Sequence, residues 1–296
     1  MTAGADEHPV GAGTNGVASK TAGVDGAEIH YLTAGAGRPL VLLHGGIIDA
    51  ATLSWGELIA PLADDAHVHA VDMLGYGESD LPEGPLSMQR HVDAIGQFLD
   101  ELALDNPLVA GISLGGGVAV GTALAYPDRV GGIVPIDAFA LGSELASGLL
   151  TLVLAKIQVT NTLSVALTAR SRRFATASLA SLAHDSATVS ERTVDRVMAE
   201  ARRPKAGKAF RKFRASEVTR RGYRTDYSDR VTDLDVPAHF VHGADDDLLP
   251  PSWSRRAAGR APDADLTILD DCGHLATLEK PDAIRDIVAE MVSLDG

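Results

Sequence analysis

The stretch Gly111-Ile112-Ser113-Leu114-Gly115 has the pattern G-x-S-x-G and lies between an apolar run, residues 107–111, and a run of small residues, 114–126. This order predicts a buried strand, a sharp turn that carries the serine, and a helix. Such a turn has a strained backbone, and flanking side chains would collide across it, so glycine is favoured at both flanks. A serine that only caps a helix is the simpler alternative.

The predicted turn gives two residues a chemical role. It would raise the Ser113 hydroxyl above the sheet, where a substrate could reach it. The amide of Leu114 would lie at the helix N-terminus, where unpaired N–H groups and the helix dipole favour a developing negative charge. Ser113 is therefore a candidate nucleophile, and Leu114 is a candidate oxyanion donor.

The composition sets bounds on the class of protein. A chain of 296 residues with 45% hydrophobic content can form one large domain with an insertion, or two small domains. The single cysteine, Cys272, excludes an intrachain disulfide framework and a cysteine-based metal cluster. It also fits a reducing compartment.

The N-terminal residues and the longest apolar run bear on location. Residues 1–16 lack the apolar centre of a secretory signal, so we expect a disordered leader. Residues 145–155 are interrupted by Ser and Thr and fall short of the ~20 residues needed to span a bilayer. We therefore expect a cytoplasmic protein that does not insert into membranes.

The net charge of −14 is unevenly distributed along the chain. Residues 141–225 contain 16 Lys and Arg against 6 Asp and Glu, whereas the remainder is strongly acidic. Asp makes up 28 of the 40 acidic residues and Arg 20 of the 26 basic ones, a bias that would keep a surface hydrated in concentrated salt. We hypothesise a salt-adapted source; full activity and stability in dilute buffer, with no gain from molar salt, would argue against it.

Strand and helix patterns alternate along most of the chain, which predicts an α/β fold with a mostly parallel sheet covered by helices on both faces. A D-G turn at residues 25–26 predicts a hairpin of edge strands. The further predicted strands are 39–43, 68–73, 107–111, 130–136, 238–242 and 265–269, and the predicted helices outside the central motif are 55–63, 88–104, 252–259 and 281–294. Between 141 and 225 the pattern is helical, with no good strand, which predicts an inserted helical region.

Three other predicted strand ends carry reactive or flexible groups. Residues 44–46 are His-Gly-Gly, residues 243–250 are Gly-Ala-Asp-Asp-Asp-Leu-Leu-Pro, and residues 272–275 are Cys-Gly-His-Leu. Residues 72–79 add a D-x-x-G-x-G-x-S segment. With a serine, an acid and a histidine in this order, the chain resembles the α/β-hydrolase superfamily along nearly its whole length. The domains would then be a leader at 1–16, a core at 17–140 and 226–296, and a helical cap at 141–225.

The resemblance implies a role for each candidate residue. Ser113 would be the nucleophile, His274 the base that takes its proton and later activates water, and Asp246 the acid that orients the imidazole. The amides of Gly46 and Leu114 would form the oxyanion hole. No cofactor and no metal are implied.

The choice among neighbouring acids follows the spacing found in such enzymes. Their acid follows the strand-end glycine by three residues and precedes the proline by four, which selects Asp246 over Asp245 and Asp247. These acids could also be solvated loop residues, and Asp137 ends a strand where some family members place the acid. His242 lies near the site without a predicted role.

The motifs reduce the number of reaction classes that fit the chain. A serine nucleophile argues against haloalkane dehalogenase and epoxide hydrolase chemistry, which in this superfamily use an aspartate. Ile47 and Ile48 depart from the H-G-G-P-G pattern of proline iminopeptidases. By elimination, we expect hydrolysis of a carboxylic ester or lactone through an acyl-enzyme.

Three alternatives stay open. Carbon–carbon bond hydrolases of ring-cleavage pathways have a similar length and cap placement, although they usually carry Asn where Ile112 stands and a Gly-Pro-Gly-like oxyanion loop. Cofactor-free haloperoxidases share the triad but show an arginine-rich segment where this chain has Met73 and Leu74. Some members of the fold are small-molecule receptors that retain the triad.

The basic inserted region would suit a small anionic substrate or would dock against the acidic body, unless it is only a solvated face. Its clusters lack the interleaved aromatic residues expected of a nucleic-acid surface, so we expect no nucleic-acid partner. The sequence does not predict an oligomeric state.

Overall fold

A computed structural model describes residues 16–143, 158–220 and 222–294 of the chain. The predicted leader, apart from Gly16, and the apolar stretch 145–155 lie outside these residues. Within them the strands are β1 (Ala18–Val24), β2 (Ala27–Ala34), β3 (Pro39–Leu43), β4 (His67–Val71), β5 (Leu108–Ile112), β6 (Gly132–Ile136), β7 (Val218–Thr219), β8 (Gly222–Tyr223), β9 (Ala238–Gly243) and β10 (Ala264–Leu269).

Eight of these strands form one sheet in the order β1-β2-β4-β3-β5-β6-β9-β10. The pairs β1/β2 and β2/β4 are antiparallel, and the remaining neighbours are parallel. This arrangement confirms the predicted mostly parallel sheet. The carboxyl ends of the parallel strands lie along one edge, where sites gather in folds of this kind.

The central strands are buried on both faces, as their continuous apolar runs predict. In β3, Leu40 and Leu42 pack into the hydrophobic cluster on one face of the sheet, while Val41 and Leu43 pack into the cluster on the other. The alternation follows from the period of two along a strand. Helices therefore cover both faces.

The α-helices of the described residues include the predicted ones except around residues 51–63. They are α1 (Ala51–Ser54), α2 (Ile59–Leu62), α3 (Met88–Glu101), α4 (Leu114–Ala125), α5 (Gln158–Arg170), α6 (Arg172–Ala180), α7 (Glu191–Ala201), α8 (Lys208–Glu217), α9 (Ser252–Ala258), α10 (Ala276–Glu279) and α11 (Pro281–Ser293). Of the helix predicted at 55–63, only α2 (residues 59–62) forms; residues 55–58 are a turn, and the short helix α1 precedes them. Gly56 lies in that turn, and glycine has a low helix propensity.

Four helices, α5 to α8, occupy the described part of the region predicted to be inserted and helical. The expectation that this region holds no strand was wrong, because β7 and β8 pair as a short antiparallel hairpin. Two-residue strands are too short to produce a recognisable alternation.

Part of the basic charge of the inserted region contacts the core directly. The Arg203 guanidinium lies 2.6 Å from Glu78, and Lys212 donates to the carbonyl of Pro82 at 2.6 Å. Lys205 donates to the carbonyl of Ser79. These contacts join the basic insertion to one loop of the acidic core.

The helices within the described residues are all too short or too polar to cross a lipid bilayer.

Candidate active site

Ser113 lies on the turn between β5 and α4, with backbone angles φ 55° and ψ −115°. These angles are strained for a residue with a side chain. A Cβ on Gly111 would lie 2.3 Å from the Gly115 carbonyl oxygen, and a Cβ on Gly115 would lie 2.5 Å from the Leu43 carbonyl oxygen. The two glycines of the motif are therefore required by close backbone contacts on either side of the serine.

The structure brings together the predicted nucleophile, base and acid, which lie far apart in the sequence. His274 Nε2 lies 2.9 Å from Ser113 Oγ, and His274 Nδ1 lies 2.7 Å from Asp246 Oδ2. The other carboxylate oxygen of Asp246 accepts hydrogen bonds from the amides of Leu248 at 2.8 Å and Leu249 at 3.0 Å. A serine, an imidazole and a fixed carboxylate in this order can activate the serine hydroxyl.

The neighbouring acids point elsewhere. Asp245 lies 2.9 Å from His184, and Asp247 is exposed. The Asp137 Oδ1 accepts from the Gly243 amide at 2.8 Å. Among these acids, therefore, Asp246 is the one that contacts His274 in the structure.

Burial and hydrogen bonding act in opposite directions on the pKa values of His274 and Asp246. Burial by itself lowers the pKa of His274, but the hydrogen bond and charge of Asp246, with smaller contributions from Asp137 and Asp49, raise it above its ordinary value. Burial raises the pKa of Asp246, and the hydrogen bonds from His242 and His274 more than reverse this, so the net pKa is strongly lowered. Asp246 therefore stays ionised beside an imidazole that protonates readily.

The two predicted oxyanion donors lie next to each other. A Cβ on Gly46 would lie 3.8 Å from the Leu114 Cβ, and a Cβ on Gly45 would lie 3.6 Å from the Ser113 Cβ. Leu114 is the first residue of α4, so its amide has no carbonyl one turn earlier to bond. Both Gly46 and Leu114 line the same cavity as Ser113.

Side chains that the sequence analysis did not single out hold the loop of Gly45 and Gly46. Asp49 Oδ2 accepts from the Gly45 amide at 2.8 Å and from the Ser54 hydroxyl at 2.7 Å. His44 Nδ1 donates to the Gly45 carbonyl at 2.7 Å, while its Nε2 accepts from an amide of the next strand end. Asp49 could have been suspected as a polar residue shortly after the H-G-G motif.

A cavity of about 420 Å³ opens over Ser113 and His274. Its wall is mostly apolar and comes from the core and from the inserted helices, among them Ile48, Leu179, Val197, Phe210 and Leu275. Arg214 lines it too, a residue for which the sequence predicted no role at the site. An apolar cavity with a few polar groups beside a reactive serine suits a small organic substrate.

The inserted region also contacts the loop that carries the histidine. The His274 amide donates to the Leu182 carbonyl at 2.7 Å. Glu279 accepts from the amides of Gly273 at 3.0 Å and His184 at 2.7 Å. The insertion therefore contacts the His274 loop through one backbone–backbone hydrogen bond and through the Glu279 carboxylate, which accepts from both segments.

Among the residues that the structure describes, two groups of side chains bring possible metal-ligand atoms within 4.8 Å of one another. In the buried group, Asp137, His242 and Asp246, the Asp246 oxygens and the His242 nitrogens are engaged by other hydrogen bonds. In the exposed group, His184 pairs with Asp245 and lies near Asp271. Asp137 Oδ2 has no hydrogen-bond partner among the described residues, but the Asp246 and His242 atoms that would complete a cation site beside it are already engaged.

Comparison with known proteins places this geometry in a family. The family described as the alpha/beta hydrolase fold matches residues 38–281, which include Ser113, Asp246 and His274. The chain belongs to the α/β-hydrolase family.

Relatives of this α/β-hydrolase include a heptadienoate hydrolase and a meta-cleavage product hydrolase. The 2-hydroxy-6-oxo-2,4-heptadienoate hydrolase of Pseudomonas putida is 27% identical over 86% of this chain and 89% of its own length. An uncharacterized protein of Mycobacterium tuberculosis is 28% identical over 90% of this chain and 78% of its own. The solved structure of the meta-cleavage product hydrolase CumD from Pseudomonas fluorescens IP01 is similar, with a TM-score of 0.78 and 25% identity, covering 92% of this chain and 96% of that one.

Proposed function

We propose that this α/β-hydrolase cleaves a carboxylic ester or lactone through an acyl-enzyme on Ser113. The observation that carries the proposal is the set of hydrogen bonds that links Ser113, His274 and Asp246 beside an apolar cavity. His274 lies 2.9 Å from Ser113 Oγ and 2.7 Å from Asp246 Oδ2. Acyl transfer requires a serine activated by a base whose tautomer is fixed by an acid.

In the first half of the reaction, His274 Nε2 accepts the proton of Ser113 Oγ as that oxygen attacks the substrate carbonyl carbon. Asp246 holds the Nδ1–H and stabilises the imidazolium that forms. When the tetrahedral intermediate collapses, the carbon–oxygen bond to the alcohol breaks, and His274 returns the proton to the leaving oxygen.

In the second half, His274 takes a proton from water, whose oxygen attacks the acyl carbon. Collapse of this intermediate breaks the bond to Ser113, which regains its proton, and releases the carboxylic acid. In this mechanism the amides of Gly46 and Leu114 bind the oxyanion of both intermediates, each contributing about 3 kcal/mol, as oxyanion donors do in other enzymes.

Hydrolysis of a carbon–carbon bond is the second candidate. The observation that favours it is the likeness, over most of the chain, to the Pseudomonas putida hydrolase and to CumD. Ile112, which is buried beside Ser113, stands where such enzymes usually carry Asn, and its side chain offers no hydrogen bond. For this reason we place the ester reaction first.

The test compares wild type with Ser113→Ala on short p-nitrophenyl esters, with stopped-flow detection of the first turnover. We expect a burst and then sustained release in wild type, and loss of both in Ser113→Ala. A ring-cleavage dienoate assayed in parallel decides between the two candidates.

Each other outcome has a separate meaning. Turnover of the dienoate without turnover of esters would replace the ester proposal with the carbon–carbon one. A single burst without turnover would favour a receptor that retains the three residues. Equal rates in both proteins would remove Ser113 from the mechanism.

A further inference from the structure

Arg214 on α8 brings a cationic group to the wall of the cavity that holds Ser113 and His274. Its side chain is half-buried, and Nη2 is buried with no hydrogen-bond partner among the described residues. A buried donor of a charged group without a partner is costly, and native proteins usually satisfy such groups. Within the wall as described, Arg214 is the only lysine or arginine.

The groups around Arg214 do not neutralise it. Glu217 lies one turn further along α8, but its carboxylate accepts from the Met88 amide at 2.9 Å and from the Thr225 amide and hydroxyl at 3.1 and 2.7 Å. Burial lowers the pKa of Arg214, and the nearby Tyr223 opposes this only as a secondary effect. The guanidinium is therefore desolvated without a matching anion from the described protein.

Phe210 fixes where Arg214 stands relative to the reactive serine. The Arg214 Cζ lies 5.8 Å from the centroid of the Phe210 ring, a cation–π distance. The Phe210 ring also packs against Gly46, where a Cβ would lie 3.1 Å from Cε2. One aromatic ring thus separates the guanidinium from the loop that faces the scissile carbonyl.

We propose that Arg214 binds a carboxylate of the substrate, so that the natural ester or lactone carries a second, ionised carboxyl group a few carbon atoms from the scissile carbonyl. A guanidinium is the side chain best matched to a carboxylate, because its parallel N–H groups meet both oxygens. The spacer is short because one ring, that of Phe210, contacts both the guanidinium and the loop of Gly46. This assignment rests on the proposed ester reaction and adds its substrate class.

The kinetic test uses p-nitrophenyl half-esters of adipic and pimelic acids against p-nitrophenyl hexanoate and heptanoate, with spontaneous hydrolysis subtracted. Wild type is compared with Arg214→Met, Arg214→Lys and the control Arg173→Met, which removes an exposed arginine of the same inserted region that does not line the cavity. The quantity measured is the ratio of kcat/KM for half-ester over neutral ester.

We expect wild type to prefer the half-esters, and Arg214→Met to lower the ratio by roughly 10- to 100-fold, as expected for loss of a charged hydrogen bond. Arg214→Lys should restore part of the ratio, and Arg173→Met should leave it unchanged. A wild-type ratio near one, or an equal loss on both ester classes in Arg214→Met, would overturn the carboxylate site.

A binding measurement tests the carboxylate site independently of the proposed ester reaction. Calorimetry with monomethyl adipate on Ser113→Ala and on Ser113→Ala/Arg214→Met needs no turnover. If wild type hydrolyses no ester but binding still depends on Arg214, the ester reaction fails and the carboxylate site stands. If binding is the same in both variants, the carboxylate site fails whatever the reaction.

Discussion

His242 Nε2 lies 3.2 Å from Asp246 Oδ2, the same carboxylate oxygen that His274 Nδ1 contacts at 2.7 Å. The His242 ring is fully buried, with Nδ1 2.7 Å from the Ser254 hydroxyl and Nε2 3.0 Å from the Leu249 carbonyl. A carbonyl can only accept, so Nε2 carries the proton and Nδ1 accepts from Ser254. His242 therefore restrains Asp246 as a positioning residue.

Replacing His242 should reduce turnover more than substrate binding. We expect His242→Leu to lower kcat roughly 10- to 100-fold, because a buried hydrogen bond to a charged group is worth about 1.5–3 kcal/mol. KM should change little. His242→Gln, whose amide can donate to Asp246, should retain more of the activity. Steady-state kinetics beside thermal melting checks this, and a well-folded His242→Leu with wild-type kcat would contradict it.

The two candidate acids should respond differently to neutralisation. Asp246→Asn removes the acceptor for His274 Nδ1–H, so we expect kcat to fall by about 10⁴-fold. Asp137→Asn keeps an oxygen for the Gly243 amide, and Asp137 Oδ2 has no partner among the described residues. Steady-state kinetics on both variants measures the difference. A loss of kcat in Asp137→Asn as large as in Asp246→Asn would place both acids in the mechanism.

Asp137→Asn should also move the pH profile. The negative charge of Asp137 contributes to the raised pKa of His274, while burial raises the pKa of Asp137 itself. Where Asp137 is ionised, removing its charge lowers the pKa of His274. Neutral His274, the form that can act as a base, then persists to lower pH. We expect the acid limb of kcat/KM to shift to lower pH, as measured between about pH 5 and 9 with an ester whose own group does not titrate there. A shift to higher pH has the wrong sign for this explanation.

The sequence predicted the sheet well because its signals are local. Continuous apolar runs such as β3 and β5 are long enough to identify a buried strand. The short β7/β8 hairpin was missed, since two residues give no period. The helix predicted at 55–63 is shortened to α2 by the turn that contains Gly56, and periodicity does not capture such a turn.

The site was predicted in part for the same reason. Ser113 and His274 stand in motifs with fixed neighbours, and the spacing to Pro250 selects Asp246. His242 and Arg214 had no such motif. Their positions depend on contacts between segments distant in sequence, His242 with Ser254 and Arg214 with the cavity wall, which only the packed structure supplies.

The two glycines that flank Ser113 allow a test of the packing around it. In Gly115→Ala the new Cβ would lie 2.5 Å from the Leu43 carbonyl oxygen and 2.6 Å from that of His44, both backbone atoms that cannot rotate away. We expect a loss of about 3 kcal/mol in the free energy of unfolding, the upper part of the range for overpacked sites, with loss of activity. Gly23→Ala is the control, because a Cβ there meets nothing within 4 Å. Urea unfolding of the two variants measures this loss. Equal stabilities for Gly115→Ala and Gly23→Ala would show that the turn around Ser113 can relax.

The buried histidine His69 should make the fold sensitive to acid. It is 4% exposed, and both ring nitrogens lack a hydrogen-bond partner among the described residues. Burial, with smaller effects of the His67 and Lys20 charges, lowers its pKa to about 4 from the 6.5 of an unperturbed histidine. Between these pH values the unfolded chain binds the proton and the folded chain does not, so the free energy of unfolding falls as the pH falls.

The size of the effect follows from the two pKa values. A difference of about 2.5 between them corresponds to about 3 kcal/mol of stability lost between about pH 6.5 and 4, with full stability retained at higher pH. His69→Leu removes this titration, so its unfolding free energy should fall less steeply over that window. Urea unfolding at about pH 8, 6 and 5 measures the slope, and the value at the highest pH, where histidine is neutral in both states, serves as the internal reference. Parallel pH profiles for wild type and His69→Leu would mean that the folded protein admits the proton at His69 without penalty.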